Sequence, residues 1–235
     1  YLDSSKHDFY IQNPDPKIIW REEECYFFKL SAFQEQIKSF YLENESFIYP
    51  NQYYKETLGT IEQGLQDFAI SRPKNRLNWG IEVPNDEDHV IYVWFDALVN
   101  YLTALGYPDN KLTSYNQTIH ILGKDILKFH ALYWIGMLMA ADLVMPKKMV
   151  IHGWLLNDKS KISKSSNNAL DLNTLLSKVS KNSLKFFLFK GIKIGDDSEI
   201  SHNRICEIVN SSLCNKYGNL ILRIFGIFEI NFNLC

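Results

Sequence analysis

The strongest constraint on the fold is a repeated succession of short apolar strand, polar turn and helix. Residues 90–95, Val-Ile-Tyr-Val-Trp-Phe, make a run suited to a buried strand, and Asp96 opens a helical stretch that Gly106 and Pro108 close. Residues 119–122 read as a second strand, Gly123-Lys124-Asp125 as its turn, and 126–143 as a long helix ended near Pro146; a third strand, 149–152, follows. Strands alternating with helices predict parallel βαβ units and a sheet covered on both faces. Upstream, Ser31-Ala32-Phe33-Gln34 has the form of a capping box and predicts a helix to about Glu43, with Phe33, Ile37 and Phe40 or Tyr41 on one face; another helix is expected over 52–64. Downstream, helices are expected at 171–179 and 183–189, then a long one from about Ser198 toward Phe225.

A chain of 235 residues, 46% hydrophobic and 14% aromatic, can bury a full core. Its net charge of −2 hides an asymmetry. Residues 1–146 hold 12 Lys and Arg against 20 Asp and Glu, whereas 147–193 hold 10 against 2. Such a local basic block can attract polyphosphate or RNA, or can simply be a solvated lysine face. Cys25, Cys206, Cys214 and Cys235 are scattered, with no Cys-x-x-Cys pair, so neither a zinc site nor a disulfide framework is expected. The most apolar stretch, 131–141, is too short for a bilayer, which takes about 20 residues, so no membrane span is expected.

In open α/β sheets ligands bind at the carboxyl ends of the strands. After the first expected strand come Trp94, Ala97 and Tyr101; after the second come Phe129, His130 and Trp134. Facing one crevice, these residues give a pocket with aromatic walls, a small floor residue in Ala97 and polar handles in Tyr101 and His130. That suits a thioether, because sulfur against ring edges gains about 0.3–1.5 kcal/mol per contact. An aromatic stripe at helical spacing packs a core as readily, and spacing alone leaves both readings open. The third strand leads through His152-Gly153 to Lys159-Ser160-Lys161-Ile162-Ser163-Lys164-Ser165, a loop with three lysines. Lysines three apart on a loop can close over a triphosphate and offset the charge that grows on a departing pyrophosphate.

Lys161-Ile162-Ser163-Lys164-Ser165 resembles the K-M-S-K-S signature of class I aminoacyl-tRNA synthetases, with isoleucine in place of methionine. Around it, Val93-Trp94-Phe95-Asp96-Ala97-Leu98 with Tyr101, and Gly123-Lys124-Asp125-Ile126-Leu127-Lys128-Phe129-His130 with Trp134, resemble methionyl-tRNA synthetases in particular. Gly64-Leu65-Gln66-Asp67, Ile70-Ser71-Arg72 and Trp79-Gly80 match the same family in the same order, so the resemblance runs from about Trp20 to Phe225. It implies an α/β fold: the second half of a doubly wound parallel, Rossmann-like catalytic domain over 21–193, then the start of an α-helical anticodon-binding domain over 194–235. Residues 1–20 would be a connector or the remnant of an inserted module.

The resemblance also implies an activity: ATP-dependent activation of methionine and its transfer to tRNA(Met), with Mg2+ accompanying the ATP and no structural zinc. Arg72, Trp94, Ala97, Tyr101, Phe129, His130 and Trp134 would serve methionine, Arg72 by orienting an acidic residue that reads the amino group. Gly123, Asp125, His152, Gly153, Lys161, Ser163 and Lys164 would serve ATP, with Lys161 and Lys164 as the catalytic cations. Asn167 stands where the family often has glycine. No His-x-Gly-His occurs in the sequence and residue 1 is Tyr, so the chain is expected to be a fragment that forms no methionyl-adenylate by itself. The competing expectations are a class I synthetase for leucine, cysteine or valine, and a catalytically inactive RNA-binding or assembly module. Similarity of 98–103 and 123–134 to the bacterial and mitochondrial branch places the protein in the mitochondrial matrix, or in the cytoplasm of a bacterium. Oligomeric state has no signal in the sequence.

Overall fold

The computed structural model describes residues 22–112, 114–157, 160–162 and 171–232. The expectations for residues 1–20 and for Ser163, Lys164 and Asn167 lie outside them. The chain divides into two compact units, 1–29 with 66–101, and 30–65 with 102–235.

The first unit is built on antiparallel pairing. Strand Asp86–Ile91 lies between Ser71–Pro73 and Glu82–Val83, with Arg72 opposite Val90 and Ser71 opposite Ile91; a separate pair joins Phe27–Phe28 to Phe68–Ala69. The expected strand over 90–95 is therefore displaced. Its ladder ends at Ile91, and Val93–Thr103 is already helix, so that Trp94 sits in the first helical turn. Parallel pairing was also the wrong expectation for this strand, because its partners come from the preceding loop. Asp96 lies in the helix's first turn, where its negative charge faces the positive end of the helix dipole.

The second unit holds the parallel sheet, in the order Ile48–Tyr49, Lys148–His152, Ile119–Gly123. Register pairs Gly123 with His152, so these two strands end together, while Ile48–Tyr49 stops two residues earlier, with Tyr49 opposite Val150. Ile48–Tyr49 was not anticipated; only the short Phe47-Ile48-Tyr49 run before Pro50 marks it. Helix Gln34–Glu43 buries Ile37 and Tyr41, and helix Asn51–Glu62 buries Tyr53, Tyr54, Thr57 and Ile61. The capping-box expectation meets a correction: residues Leu30–Phe33 form a 3-10 turn, and the Gln34 side-chain oxygen accepts the Leu65 amide at 2.8 Å.

The helix expected over 126–143 is interrupted. After the 3-10 turn Lys124–Ile126, residues Phe129–Trp134 wind as a π-helix and Ile135–Ala140 as α-helix. Wide turns of this kind are rare and concentrate at functional sites. The Tyr41 hydroxyl donates to the Ala131 carbonyl at 2.7 Å and ties the wide turn to helix Gln34–Glu43.

Beyond the sheet, strand Leu155–Asn157 pairs antiparallel with Ser160–Lys161 and parallel with Ser198–Glu199. Helices Leu172–Lys178, Lys181–Lys190 and His202–Val209 start on Asp171, Ser180 and Ser201, whose side chains accept amides of the first turn, as small polar residues at helix starts do. Leu175, Val179, Phe187, Ile200 and Ile205 make their core, against which Leu155 and Ile162 pack. The long helix expected from 198 is the strand Ser198–Glu199 followed by a run through His202–Val209, a π-helical Asn210–Gly218 and Asn219–Phe232. Among the described residues no helix is long and apolar enough to cross a membrane.

Candidate active site

Helix Val93–Thr103 buries Leu98 and Leu102. Trp94, Ala97 and Tyr101 occupy the neighbouring stripe, with Trp94 and Tyr101 half-buried and Ala97 exposed. Burial raises the Tyr101 phenol, so it remains a neutral donor at ordinary pH. Arg72 is held in the same unit: its guanidinium donates to the Ser71 carbonyl at 2.6 Å and lies 4.0 Å from the Tyr92 ring centroid.

In the second unit the π-turn presents Phe129, His130 and Trp134. Phe129 is half-buried and meets Tyr133 edge-on at 5.5 Å between centroids. Trp134, only 1% exposed, donates its indole N–H to the Tyr115 hydroxyl at 2.7 Å. Tyr115 in turn lies 3.2 Å from Nε2 of His120, whose ring is 6.1 Å from that of His130. The result is a buried polar chain from Trp134 through Tyr115 to His120, with the His130 ring beside its end. Sequence reasoning passed over Tyr115 and His120; the alternation of His120 and Leu122 inward along the strand was the available signal. Burial, reinforced by neighbouring His130, holds His120 down at about 4, and burial also lowers His130 despite its contact with the Ile126 carbonyl. Both imidazoles are neutral at ordinary pH.

At the sheet's carboxyl edge four of the expected nucleotide residues are brought together. Gly123 and His152 are paired, and a Cβ on Gly123 would stand 2.8 Å from Oδ1 of Asp125 and 3.6 Å from the His152 ring. Asp125 and His152 are exposed there. Gly153 follows, buried, and its lack of a side chain has a packing reason: a Cβ would stand 2.2 Å from the Asp196 carbonyl oxygen. The backbone of Lys161 lies at the base of the lysine loop, opposite Leu156, and Ile162 anchors that base in the helical core with its amide 3.2 Å from the Leu155 carbonyl. Ser163 and Lys164 fall outside the described residues. Arg72, Trp94, Ala97 and Tyr101 belong to one compact unit and the remaining described candidates to the other.

The family model for class I tRNA synthetases (M) matches residues 8–225. The chain belongs to this family. Methionine–tRNA ligases of Rickettsia typhi and Brucella suis are 43% and 42% identical to it over 216 and 215 residues, 90% of this chain in each case, but only 42% and 41% of their own length. The ligase of Synechocystis is 40% identical over 92% of this chain and 42% of its own length. Methionyl-tRNA synthetase of Mycobacterium tuberculosis, solved with methionyl-adenylate bound, superposes with a TM-score of 0.78 at 36% identity, covering 92% of this chain and 43% of that one. The class I synthetase chain thus spans about two fifths of the length of the relatives it matches, and its α/β parallel sheet is that of the family's catalytic domain.

Proposed function

We propose that this chain supplies part of the active site of a methionine–tRNA ligase, with 21–193 as catalytic-domain sequence and 194–235 as the start of a helical anticodon-binding domain. The observation that carries the reading is the assembly of Gly123, Asp125 and His152 at the carboxyl edge of the parallel sheet, next in sequence to the strands that support the lysine loop. A methionine carboxylate oxygen attacks the α-phosphorus of ATP, the bond to the bridging oxygen breaks, and pyrophosphate leaves with the electron pair. Lys161 and Lys164 offset the charge growing on that leaving group. A ribose hydroxyl at the 3′ end of tRNA(Met) then attacks the methionyl carbonyl, and AMP departs.

The rings of Trp94, Tyr101, Phe129, His130 and Trp134, with Ala97 as floor, hold the thioether side chain. Neutral His130 and Tyr101 suit an uncharged substrate group, since a buried cation beside sulfur would be left without a counter-charge. Arg72, fixed against Tyr92, positions an acidic partner for the amino group. Gly123, Asp125, His152 and Gly153 meet the nucleoside, and Ser163 the phosphates. Mg2+ comes with ATP, held mainly through the phosphates, as is usual for this ion; among the described residues no group of three or more His, Cys, Asp or Glu could hold a metal. The relatives named above are bacterial, which supports the bacterial cytoplasm better than the mitochondrial matrix as the compartment.

Methionine-dependent exchange of labelled pyrophosphate into ATP by the complete protein tests the proposal. Exchange with methionine, abolished in K164A and absent from the 235-residue chain alone, is the expected result. Preference for leucine, cysteine or valine would make it another class I synthetase, and no exchange with any amino acid would leave an RNA-binding or assembly module.

A further inference from the structure

One short segment, 195–197, touches the residues that follow each strand of the parallel sheet. After Ile48–Tyr49, the Tyr53 hydroxyl and the Gln52 amide donate to the Gly195 carbonyl at 2.6 and 3.0 Å. Gly195 sits at φ +94°, and a Cβ there would stand 2.5 Å from Cγ of Pro50, so both conformation and space require glycine. After Lys148–His152, the Asp196 carbonyl fills the place a Gly153 side chain would need. After Ile119–Gly123, Lys124 pairs with Asp197 at 2.8 Å. The same carboxylate accepts the Trp154 amide at 2.8 Å, while the Lys124 ammonium lies 4.2 Å from the Trp154 ring centroid.

Asp197 is followed directly by Ser198–Glu199, which pairs with Leu155–Asn157, the strand whose other edge carries Ser160–Lys161. A single carboxylate therefore connects the turn 123–125 to the base of the lysine loop. Lys124 stands between two residues assigned to the nucleotide, yet its cation is committed to Asp197. The pair raises Lys124 and lowers Asp197, each through the hydrogen bond to the other, so both stay charged at ordinary pH.

We propose that Asp197 is a positioning residue for adenylate formation: by holding Lys124 and the Trp154 amide together it sets the turn 123–125 and the strands at the base of the lysine loop in one geometry. The proposal rests on the ligase reading. It touches no substrate itself, so its effect falls on the geometry of the ATP side alone, where misplacement of about 1 Å can cost a factor of up to about a hundred.

The test uses the complete protein with D197N, which keeps the size and loses the charge, and D197A. Pyrophosphate exchange is expected to show kcat reduced about tenfold or more and KM for ATP raised, with KM for methionine within about twofold of the parent, at a temperature where circular dichroism shows each variant folded. Unchanged kcat and KM for ATP with only a lower Tm, or equal rises in KM for both substrates, would overturn it. Amide hydrogen exchange reads the link without catalysis: D197N is expected to speed exchange at both Gly123–Asp125 and Leu155–Asn157, and unaltered protection at either would overturn the proposal even if D197A fails to fold. Absence of methionine-dependent exchange in the parent protein would instead reject the ligase reading and leave the hydrogen-exchange result to decide the link.

Discussion

His120 sits in an environment that ties stability to pH. It is 5% exposed, lies beside the Tyr115 hydroxyl and faces His130, which is 2% exposed. Its folded pKa of about 4 lies below the ordinary 6.5, so between those values the unfolded chain binds the extra proton and the folded one does not. Stability conferred by the neutral imidazole is complete above about pH 6.5 and is lost as pH falls toward 4. At pH 5 the loss from His120 is on the order of 2 kcal/mol, before any share from His130. Urea unfolding at pH 7.5 and pH 5 should show this drop, and H120Q should flatten the profile in that range. A profile equally steep in H120Q would place the acid sensitivity elsewhere. The chain Trp134–Tyr115–His120 also shows why the aromatic spacing was ambiguous: Trp134 is 1% exposed and its indole is a structural donor, a role that helical spacing alone does not separate from that of a pocket wall.

At the level of elements, Gly153 meets segment 195–197 at its backbone, so small changes there are felt. G153A would bring a methyl group within 2.2 Å of the Asp196 carbonyl oxygen, a backbone atom that cannot swing aside. Overpacking of this kind costs about 1–3 kcal/mol. Gly59, inside helix Asn51–Glu62, has nothing within 4 Å of its Cβ position, and G59A should stabilise by about 0.5–1 kcal/mol through helix propensity. Equilibrium unfolding of the two variants should move in opposite directions; a neutral G153A would show that the contact yields freely. Termini in this chain were legible in places where local chemistry decides them: Asp171 marks a helix start and the apolar runs 119–122 and 149–152 mark two adjacent strands of the parallel sheet, whereas the helix expected from Ser183 begins at Lys181, capped by Ser180. Residues 90–95 misled because β-propensity measures fit to a paired, half-buried surface. The partner strand Ser71–Pro73 ends its ladder at Ile91, and the remaining Val93, Trp94 and Phe95 are taken up by helix.

Across the whole molecule, the sequence reveals the parallel sheet and the family, because each rests on contiguous motifs read in order. What it conceals is every pairing across distance: Ile48–Tyr49 as the third parallel strand, Asp197 against Lys124, and Tyr115 behind Trp134 are separated by too many residues for any local pattern to announce them. The ligase proposal assigns Trp94, Ala97 and Tyr101 on one helix, and Phe129, His130 and Trp134 on another, to the methionine side chain. The most direct measurement is a crystal structure of the complete protein with a non-hydrolysable methionyl-adenylate analogue. The sulfur is expected in contact with the rings of Trp94, Tyr101 and His130, and the adenosine against Gly123, Asp125 and His152. A ligand bound away from these residues, or Tyr101 and His130 facing separate surfaces, would contradict it.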